Sequence, residues 1–569
     1  MIKMVKHWRI TRCCTRFFSG YTCIRNLQCN RRMSGTKQTQ TSEENSNLVK
    51  MCRHNADETE STLNKLERKF GWMHNFVPCF EVNGGNITVL TEPVQFHETL
   101  KMMMRKARSR IVLASLYLGT GELEQDLVDS IQEACQHAEE SGNKNFEVHV
   151  LLDYTRGSRG QDETSRTMLL PLLKEFTNIV HIHLYHAPDL RGFVKHILPE
   201  RWNETIGLTH IKIYLVDDSV IISGANLSDS YFTNRQDRYV LFNKCPGLAD
   251  YFSQLVQTVS LFSLQLQQDN TLTLTSGWDI HPFEDSDDGT RFKAAAREKV
   301  KNLNKCFADS YEQRVSSRRQ SIKPDSGEVT QETTSKKMSG CNCVDTLVFP
   351  LLQMGSFGVT DDEDVTKILL RTTEREDEVL LASGYFNLTD QYMQTILHEA
   401  LARFKIVMAA PEANGFYGAR GLSGAIPSAY IYIAYLFLQQ VHQFQQNRRI
   451  SLYEYFRDNW TFHVKGLWYY LPNDTLPVLT LVGSPNFGYR SVYRDLECQV
   501  AIVTQNKALQ QQLREVEIAL HTGTYKVPVL RRSSPDGRPF TGNTDALRGR
   551  VSTGRIHSST FLIDDIIGG

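Results

Sequence analysis

Two histidines carry the chemistry for which this chain is equipped. His210 opens the run His210-Ile211-Lys212-Ile213-Tyr214-Leu215-Val216-Asp217-Asp218, an H-x-K-x4-D pattern followed by Ser223-Gly224-Ala225-Asn226. Side chains alternate along an extended chain, so His210 and Lys212 face the same way while the apolar residues around them pack a sheet. An imidazole beside an ammonium, with an Asn and small residues near, suits an anion that is to be attacked, most naturally a phosphate. The pattern returns at Phe462-His463-Val464-Lys465-Gly466, followed by Val482-Gly483-Ser484-Pro485-Asn486. Eleven residues beyond each Asn stands an acid, Asp237 and then Glu497, at the start of an apolar strand. A doubled set in the same order removes chance as its explanation. The copies differ in one respect. Tyr470 occupies the place of Asp217, and His463 to Asn486 spans 23 residues where His210 to Asn226 spans 16.

The elements that must position these residues alternate as β and α. Strands are expected at 87–90, 110–118, 146–154, 180–185 and 237–242, with helices at 93–107, 122–140, 164–176 and 247–266. The continuous apolar runs RIVLASLYL and FEVHVLLDY predict buried, parallel strands. The order then repeats, with strands at 346–352, 378–386 and 404–410 and helices at 362–372 and 389–401. Leu113-Ala114-Ser115-x-Tyr117 matches Leu381-Ala382-Ser383-x-Tyr385. An internal duplication follows. Ligands gather at the carboxyl ends of such strands. The basic glycine-rich turn Thr155-Arg156-Gly157-Ser158-Arg159-Gly160 therefore offers Arg156 and Arg159 to a phosphate, unless it is simply a solvated turn.

With 569 residues, 41% hydrophobic and 22% charged, the chain is a soluble-type sequence too long for one core. Sixty-four basic residues balance 64 acidic ones, which argues against a dedicated nucleic-acid binder. The 12 cysteines form no C-x-x-C pair, so neither a zinc site nor a disulfide framework is expected. Residues 1–42 contain no acid and interleave Lys and Arg with apolar residues. They predict a mitochondrial transit peptide, with a basic tail as the plainer reading. The expected organisation is a polar linker at 43–69, a lobe at 70–270, a flexible segment at 271–343, a second lobe at 344–525 and a disordered tail at 526–569. The apolar stretch 425–438 is only 14 residues, too short to cross a bilayer, which takes roughly 20. It is either a buried helix or a segment lying in a membrane interface. Gly119-Thr120-Gly121 opens a helix, but no G-K-[ST] follows, which disfavours an ATP site.

The paired H-x-K motifs, each with its downstream Gly/Asn turn, resemble the phospholipase D superfamily over about 85–266 and 346–520. The basic leader, the run LLDYTRGSRG at 151–160, the complete first motif and the second without its Asp are similar to the mitochondrial branch of that superfamily that forms phosphatidylglycerophosphate. The resemblance implies an α/β fold of two lobes, each a central mixed sheet flanked by helices, related by a pseudo-twofold with one shared active site. It implies CDP-diacylglycerol as donor, CMP as leaving group, sn-glycerol 3-phosphate as acceptor, a place on the route to cardiolipin, and peripheral contact with the matrix side of the mitochondrial inner membrane, for which 425–438 is the candidate. The residue types suit such a transfer. One imidazole, assigned to His210, attacks phosphorus, and the other, His463, acts as acid and then base. Lys212, Lys465, Asn226 and Asn486 surround the phosphate oxygens. Asp237 and Glu497 orient a histidine of the same or the opposite copy. Asp217 belongs to the motif, and Ser223, Gly224, Gly483 and Ser484 line the substrate side. No cofactor or metal is needed for this chemistry, and stimulation by a divalent cation is compatible with it. A hydrolase of the same fold, or a non-catalytic lipid-binding scaffold, are the competing readings.

Overall fold

The computed structural model describes residues 62–160, 162–191, 206–284, 287–321 and 344–527. The expected leader, most of the linker, residues 322–343 and the tail from 528 lie outside the described residues.

Apart from β1 (Phe80–Val82), the first half builds one nine-stranded mixed sheet. Its strands are β2 (Ile87–Leu90), β3 (Arg110–Ala114), β4 (Glu147–Asp153), β5 (Val180–Tyr185), β6 (Ile213–Val216), β7 (Ser219–Ser223), β9 (Tyr239–Phe242), β10 (Leu264–Leu266) and β11 (Leu272–Leu274). They run in the order β11-β10-β5-β4-β3-β6-β7-β9-β2. The two-residue β8 (Arg235–Gln236) stands apart. The second sheet takes β12 (Thr346–Met354), β13 (Glu378–Ser383), β14 (Arg403–Ala409), β15 (Ile450–Tyr455), β17 (Lys465–Tyr470), β18 (Leu479–Gly483), β19 (Leu496–Thr504) and β20 (Thr524–Lys526), and it also takes β1. Its order, read from the far edge, is β20-β15-β14-β13-β17-β18-β19-β12-β1. The two orders superimpose strand for strand from β5/β15 to β2/β12, with β3–β4–β5 and β13–β14–β15 parallel and the motif strands antiparallel. The duplication read from the sequence is thus a duplication of topology.

The buried runs alternate between two layers. In β3, Ile111 and Leu113 face an outer core with helices α2 (Pro93–Arg105), α3 (Glu122–Glu140) and α4 (Ser165–Glu175). Val112 and Ala114 face a central core shared by both sheets. That core is filled by α5 (Pro246–Leu261), the long α6 (Thr290–Ser321) and α9 (Lys507–Thr522). In β13, Leu380 and Ala382 join the same central core, whereas Val379 and Leu381 face an outer layer with α7 (Asp361–Arg371) and α8 (Ile426–Gln443). Burial on both faces is why these strands read as unbroken apolar runs rather than as alternation.

Three expected boundaries move. Within the expected linker, α1 (Thr62–Phe70) forms, and Leu66 and Phe70 bury in the core of the second lobe. Strand β1 pairs antiparallel with β12, so 70–82 belongs to the second lobe rather than the first. Within the segment expected to be flexible, β11 pairs with β10, and α6 runs 32 residues. Phe292, Ala296 and Val300 pin α6 in the central core. The sequence predicts a helix at 291–307 within this segment; the structure carries it on to Ser321, and the polar composition of that second half conceals it because its apolar stripe is narrow.

Candidate active site

The two H-x-K segments meet where the lobes touch. His210 donates its backbone N–H to the Leu496 carbonyl at 2.7 Å, and Leu496 returns a bond to Leu208 at 2.8 Å. On the other side, β16 (Thr461–Phe462) pairs in parallel with β8, and His463 donates its N–H to Gln236 at 2.9 Å. Leu496 and Gln236 each precede the acid of their own copy. The backbone ladders therefore lay each histidine against the acid of the opposite lobe. His210 Nδ1 donates to Glu497 Oε2 at 2.9 Å, and His463 Nδ1 to Asp237 Oδ2 at 2.7 Å. With Nδ1 bound to a carboxylate, Nε2 of each ring is left for chemistry.

Both acids are themselves held. Asp237 Oδ1 accepts the Arg238 N–H at 2.8 Å, and Glu497 Oε1 accepts the Ser491 hydroxyl at 2.6 Å. The lysines curl back on their own strands. Lys212 Nζ donates to the His210 carbonyl at 2.7 Å, and Lys465 Nζ to the His463 carbonyl at 2.7 Å, 3.9 Å from Asp237. Asn226 donates to the Tyr231 hydroxyl at 3.1 Å, and that hydroxyl lies 3.3 Å from His463 Nε2. The side-chain carbonyls of Asn226 and Asn486 are buried with no hydrogen-bond partner among the described residues.

Burial dominates the electrostatics. It pushes the His210 imidazole down to about 4, with Glu497 opposing and Lys212 assisting. His463 falls well below its ordinary value through burial and then through the charges of Lys465 and Arg235; His210 adds to this, so the two rings share one field. Burial drives Lys465 down to about 8 against the pull of Asp237, and drives Asp237 up to about 6 against Lys465. Glu497 is raised by burial but held below the usual range by His210 and Lys212. Two imidazoles kept neutral by burial, with the His463 Nε2 3.3 Å from the Tyr231 hydroxyl and 3.1 Å from Lys465 Nζ, stand beside two lysines and form a site complementary to a phosphodiester or pyrophosphate.

Not every expected residue arrives there. Asp217 sits in the β6–β7 turn at φ 52°, at the far end of β6 from His210. Its carboxylate accepts the backbone N–H of Arg108 at 3.0 Å, Ser109 at 2.7 Å and Arg110 at 3.2 Å. It caps the entry to β3 and touches no substrate side. In the second copy Asp377 caps its own loop by accepting the Glu374 N–H at 2.7 Å, and the Tyr469 hydroxyl bonds it. A hairpin Asp is therefore dispensable there, and Tyr470 turns instead to Glu517 at 3.2 Å. Ser223 and Ser484 also serve the scaffold. Ser223 Oγ donates to the Arg238 carbonyl at 2.7 Å, and Ser484 Oγ accepts the Cys498 N–H at 3.1 Å. Gly224 is small because a Cβ would stand 2.6 Å from Asp237 Oδ1, and Gly483 because one would meet Gln499 Cα at 2.4 Å. Asp153, at the end of β4, caps the turn by accepting the Arg156 N–H at 3.0 Å, and the Arg156 guanidinium lies 4.5 Å over Tyr117. Arg159 follows on the same turn, its N–H on the Arg156 carbonyl at 3.4 Å.

Sequence reasoning missed Tyr231, Tyr385, Arg235 and Asp153. The ring of Tyr385 stands 5.7 Å edge-on to His463, and Asp153 accepts the Thr209 N–H at 3.1 Å, seating the residue before His210. The repeated Ser-x-Tyr was the available signal. Ser115 Oγ bonds the Tyr117 carbonyl at 3.1 Å, and Ser383 Oγ the Tyr385 carbonyl at 3.0 Å.

Two α/β lobes of the same strand order, whose histidines lean on each other's acids, define a two-lobed fold of the phospholipase D-like type with one paired site between the lobes. No family model matches the chain. The mitochondrial CDP-diacylglycerol–glycerol-3-phosphate 3-phosphatidyltransferase of Gallus gallus is 48% identical over 454 residues, 80% of this chain and 81% of that protein. The Homo sapiens enzyme of the same name is 47% identical, covering 80% of each. The Schizosaccharomyces pombe CDP-diacylglycerol–glycerol-3-phosphate 3-phosphatidyltransferase is 33% identical over 78% of this chain and 90% of that one. The phosphatidylserine synthase of Haemophilus influenzae shares the fold, with TM-score 0.57 at 18% identity, covering 87% of this chain and 97% of that one. The chain belongs to the CDP-diacylglycerol–glycerol-3-phosphate 3-phosphatidyltransferase family, enzymes that transfer phosphatidyl groups.

Proposed function

We propose that this protein transfers the phosphatidyl group of CDP-diacylglycerol to the primary hydroxyl of sn-glycerol 3-phosphate, through a phosphohistidine, on the route to cardiolipin. The observation that carries the reading is the crossed pairing of His210 with Glu497 and His463 with Asp237. In the first step the Nε2 lone pair of His210 attacks the phosphorus bearing diacylglycerol. The bond to the CMP oxygen breaks, and His463, which takes up a proton on Nε2 when the anionic substrate binds beside it, gives that oxygen its proton. In the second step His463 takes the proton of the acceptor hydroxyl, the new O–P bond forms, and the N–P bond to His210 breaks. Lys212, Lys465, Asn226 and Asn486 stabilise the charge on the non-bridging oxygens. His210 is the better nucleophile on access. Its side chain keeps 12% exposure against 5% for His463, whose Nε2 faces Tyr231. Arg156 and Arg159 suit the further phosphates. No step calls for a metal.

The same reading takes residues 1–42 as a mitochondrial leader and the protein as peripheral on the matrix side of the inner membrane. No helix among the described residues is long and apolar enough to cross a membrane. The expected segment 425–438 falls on α8, one face of which is buried through Ile426, Tyr430, Ala434 and Phe437. Tyr432 and Leu436 are exposed on the same helix, and Tyr417 before it. That two-sidedness supports interfacial contact. Incubation with CDP-diacylglycerol, with and without glycerol 3-phosphate, tests the reaction. CMP release that depends on glycerol 3-phosphate and yields phosphatidylglycerophosphate is expected. Release at the same rate without it makes the protein a hydrolase, and no release at all leaves a scaffold.

A further inference from the structure

Arg235 stands near His463, with no carboxylate in ion-pair range among the described residues. It lies on β8, two residues before Asp237. Its Nε donates to Thr461 Oγ1 at 3.1 Å, and its guanidinium lies 4.5 Å over the ring of Tyr231. The Tyr231 hydroxyl lies 3.3 Å from His463 Nε2. Burial weighs most on its guanidinium, opposed by neighbouring tyrosines, Tyr231 first, then Tyr385 and Tyr117. At the equivalent place in the second copy, two residues before Glu497, stands Asp495, and that carboxylate is already paired with Arg490 at 3.1 Å. The two halves of an otherwise symmetric site thus differ in charge here. The His463 side carries a guanidinium at this position, and the His210 side a carboxylate.

The space around Arg235 is walled by polar rings. A Cβ built on Gly415 would stand 3.2 Å from the Tyr385 hydroxyl and 3.6 Å from Arg235 Nη2, so both atoms face the same small gap. Tyr117, carrying Arg156 over its ring, has its hydroxyl 3.1 Å from Ser228 Oγ. The charges of Arg235 and Arg156 both reach the Tyr385 hydroxyl. Tyr117, Tyr385, Arg156 and Arg235 are each only half-buried, so a ligand can reach them.

We propose that Arg235, with Arg156 and the hydroxyls of Tyr117 and Tyr385, binds the phosphomonoester of the acceptor and so selects glycerol 3-phosphate over unphosphorylated alcohols. The proposal rests on the transferase reading above. In a double displacement on His210, leaving group and acceptor use the His463 side in turn. The phosphate of CMP is joined directly to the oxygen that His463 protonates. The phosphate of the acceptor lies a glycerol backbone away from its attacking oxygen. Arg235 lies over the ring of Tyr231, and the Tyr231 hydroxyl is the group 3.3 Å from His463 Nε2, an arrangement compatible with the second spacing. A planar guanidinium over an aromatic face, with neighbouring hydroxyl donors, is suited to a phosphate dianion.

The test is the ratio of kcat/KM for glycerol 3-phosphate to that for glycerol, in wild type, Arg235→Gln and Arg235→Lys, with thermal melts as the check on folding. The ratio is expected to fall at least about tenfold in Arg235→Gln, mainly through KM, and to recover in large part in Arg235→Lys. An unchanged ratio in a folded Arg235→Gln overturns the proposal. So does an equal loss with both acceptors, which would place Arg235 on the donor. Should Arg235→Gln not fold, inorganic phosphate decides with the wild type. Competition against glycerol 3-phosphate supports the subsite, and its absence refutes it. A wild type that releases no CMP fails the functional reading instead, so the two failures are distinct.

Discussion

Replacing Asp237 by Asn changes one proton and almost no volume, and the structure dictates how the amide must lie. Asp237 Oδ1 accepts the Arg238 N–H at 2.8 Å. The amide oxygen must keep that place, so the NH2 group occupies the position of Oδ2, 2.7 Å from His463 Nδ1. Two donors cannot face each other, so His463 adopts the other tautomer, with its proton on Nε2. A ring protonated there cannot take the acceptor's proton. The departing CMP phosphate, a group that ionises near pH 6, needs little help. The first step should survive and the second fail. Outer partners of histidine ligands are worth 10–100-fold, and the corresponding exchange in a serine-protease triad costs about 10⁴. Turnover should fall by about 10² to 10⁴, or about 3–5 kcal/mol of transition-state stabilisation. Rapid-quench measurement of CMP should show a burst near one equivalent followed by slow turnover. The same logic applies to Glu497→Gln, where the Ser491 hydroxyl fixes Oε1 and the amide turns its NH2 to His210. That variant should lose the burst itself. Turnover of Asp237→Asn within about threefold of wild type, or a burst lost in Asp237→Asn and kept in Glu497→Gln, would refute the crossed assignment.

Three other outcomes follow from the same geometry. Asp217→Ala should lose about 2–3 kcal/mol of stability, because its carboxylate holds three backbone N–H groups and the Ser109 hydroxyl; a melt unchanged within about 1 °C would contradict this role. Arg238 reaches from the first lobe to the Leu481 carbonyl at 2.7 Å and Thr480 Oγ1 at 2.6 Å, stacked 3.7 Å over Trp468. Arg238→Ala should cost about 3–5 kcal/mol by denaturant titration, and a loss under about 1 kcal/mol would show that the lobes are joined elsewhere. The kcat/KM profile should be bell-shaped. It should fall below about pH 6 as Asp237 takes a proton, and above about pH 8 as Lys465 loses one. His210, pushed to about 4, stays neutral across that range, so a profile with its acid limb near 4 and no alkaline limb would count against these assignments.

What could be read in the residues was what repeats. Strand order, the duplication and the two H-x-K segments are visible because buried β-strands and paired motifs leave local patterns, and α3 and β5 fall at the expected bounds, Glu122–Glu140 and Val180–Tyr185. What could not be read was contact between distant segments. No local pattern says that β1 leaves its neighbours to pair with β12. The choice between same-copy and opposite-copy acids depended on the bonds of His210 to Leu496 and His463 to Gln236, which join residues more than two hundred apart. Asp217 misled because it is part of a recognisable pattern yet acts on the backbone of Arg108–Arg110. Arg235 was passed over because a lone Arg in a polar run carries no signal until Tyr231 and Tyr385 surround it.

The most direct test of the central claim is to trap the intermediate. Asp237→Asn, mixed with CDP-diacylglycerol labelled in its phosphatidyl phosphate and quenched in alkali, should carry label in an acid-labile, alkali-stable bond. Peptide mapping should place it on His210, and Asp237→Asn combined with His210→Ala should carry none. Label on His463 instead, or no covalent label in a variant that still shows the CMP burst, would contradict the account.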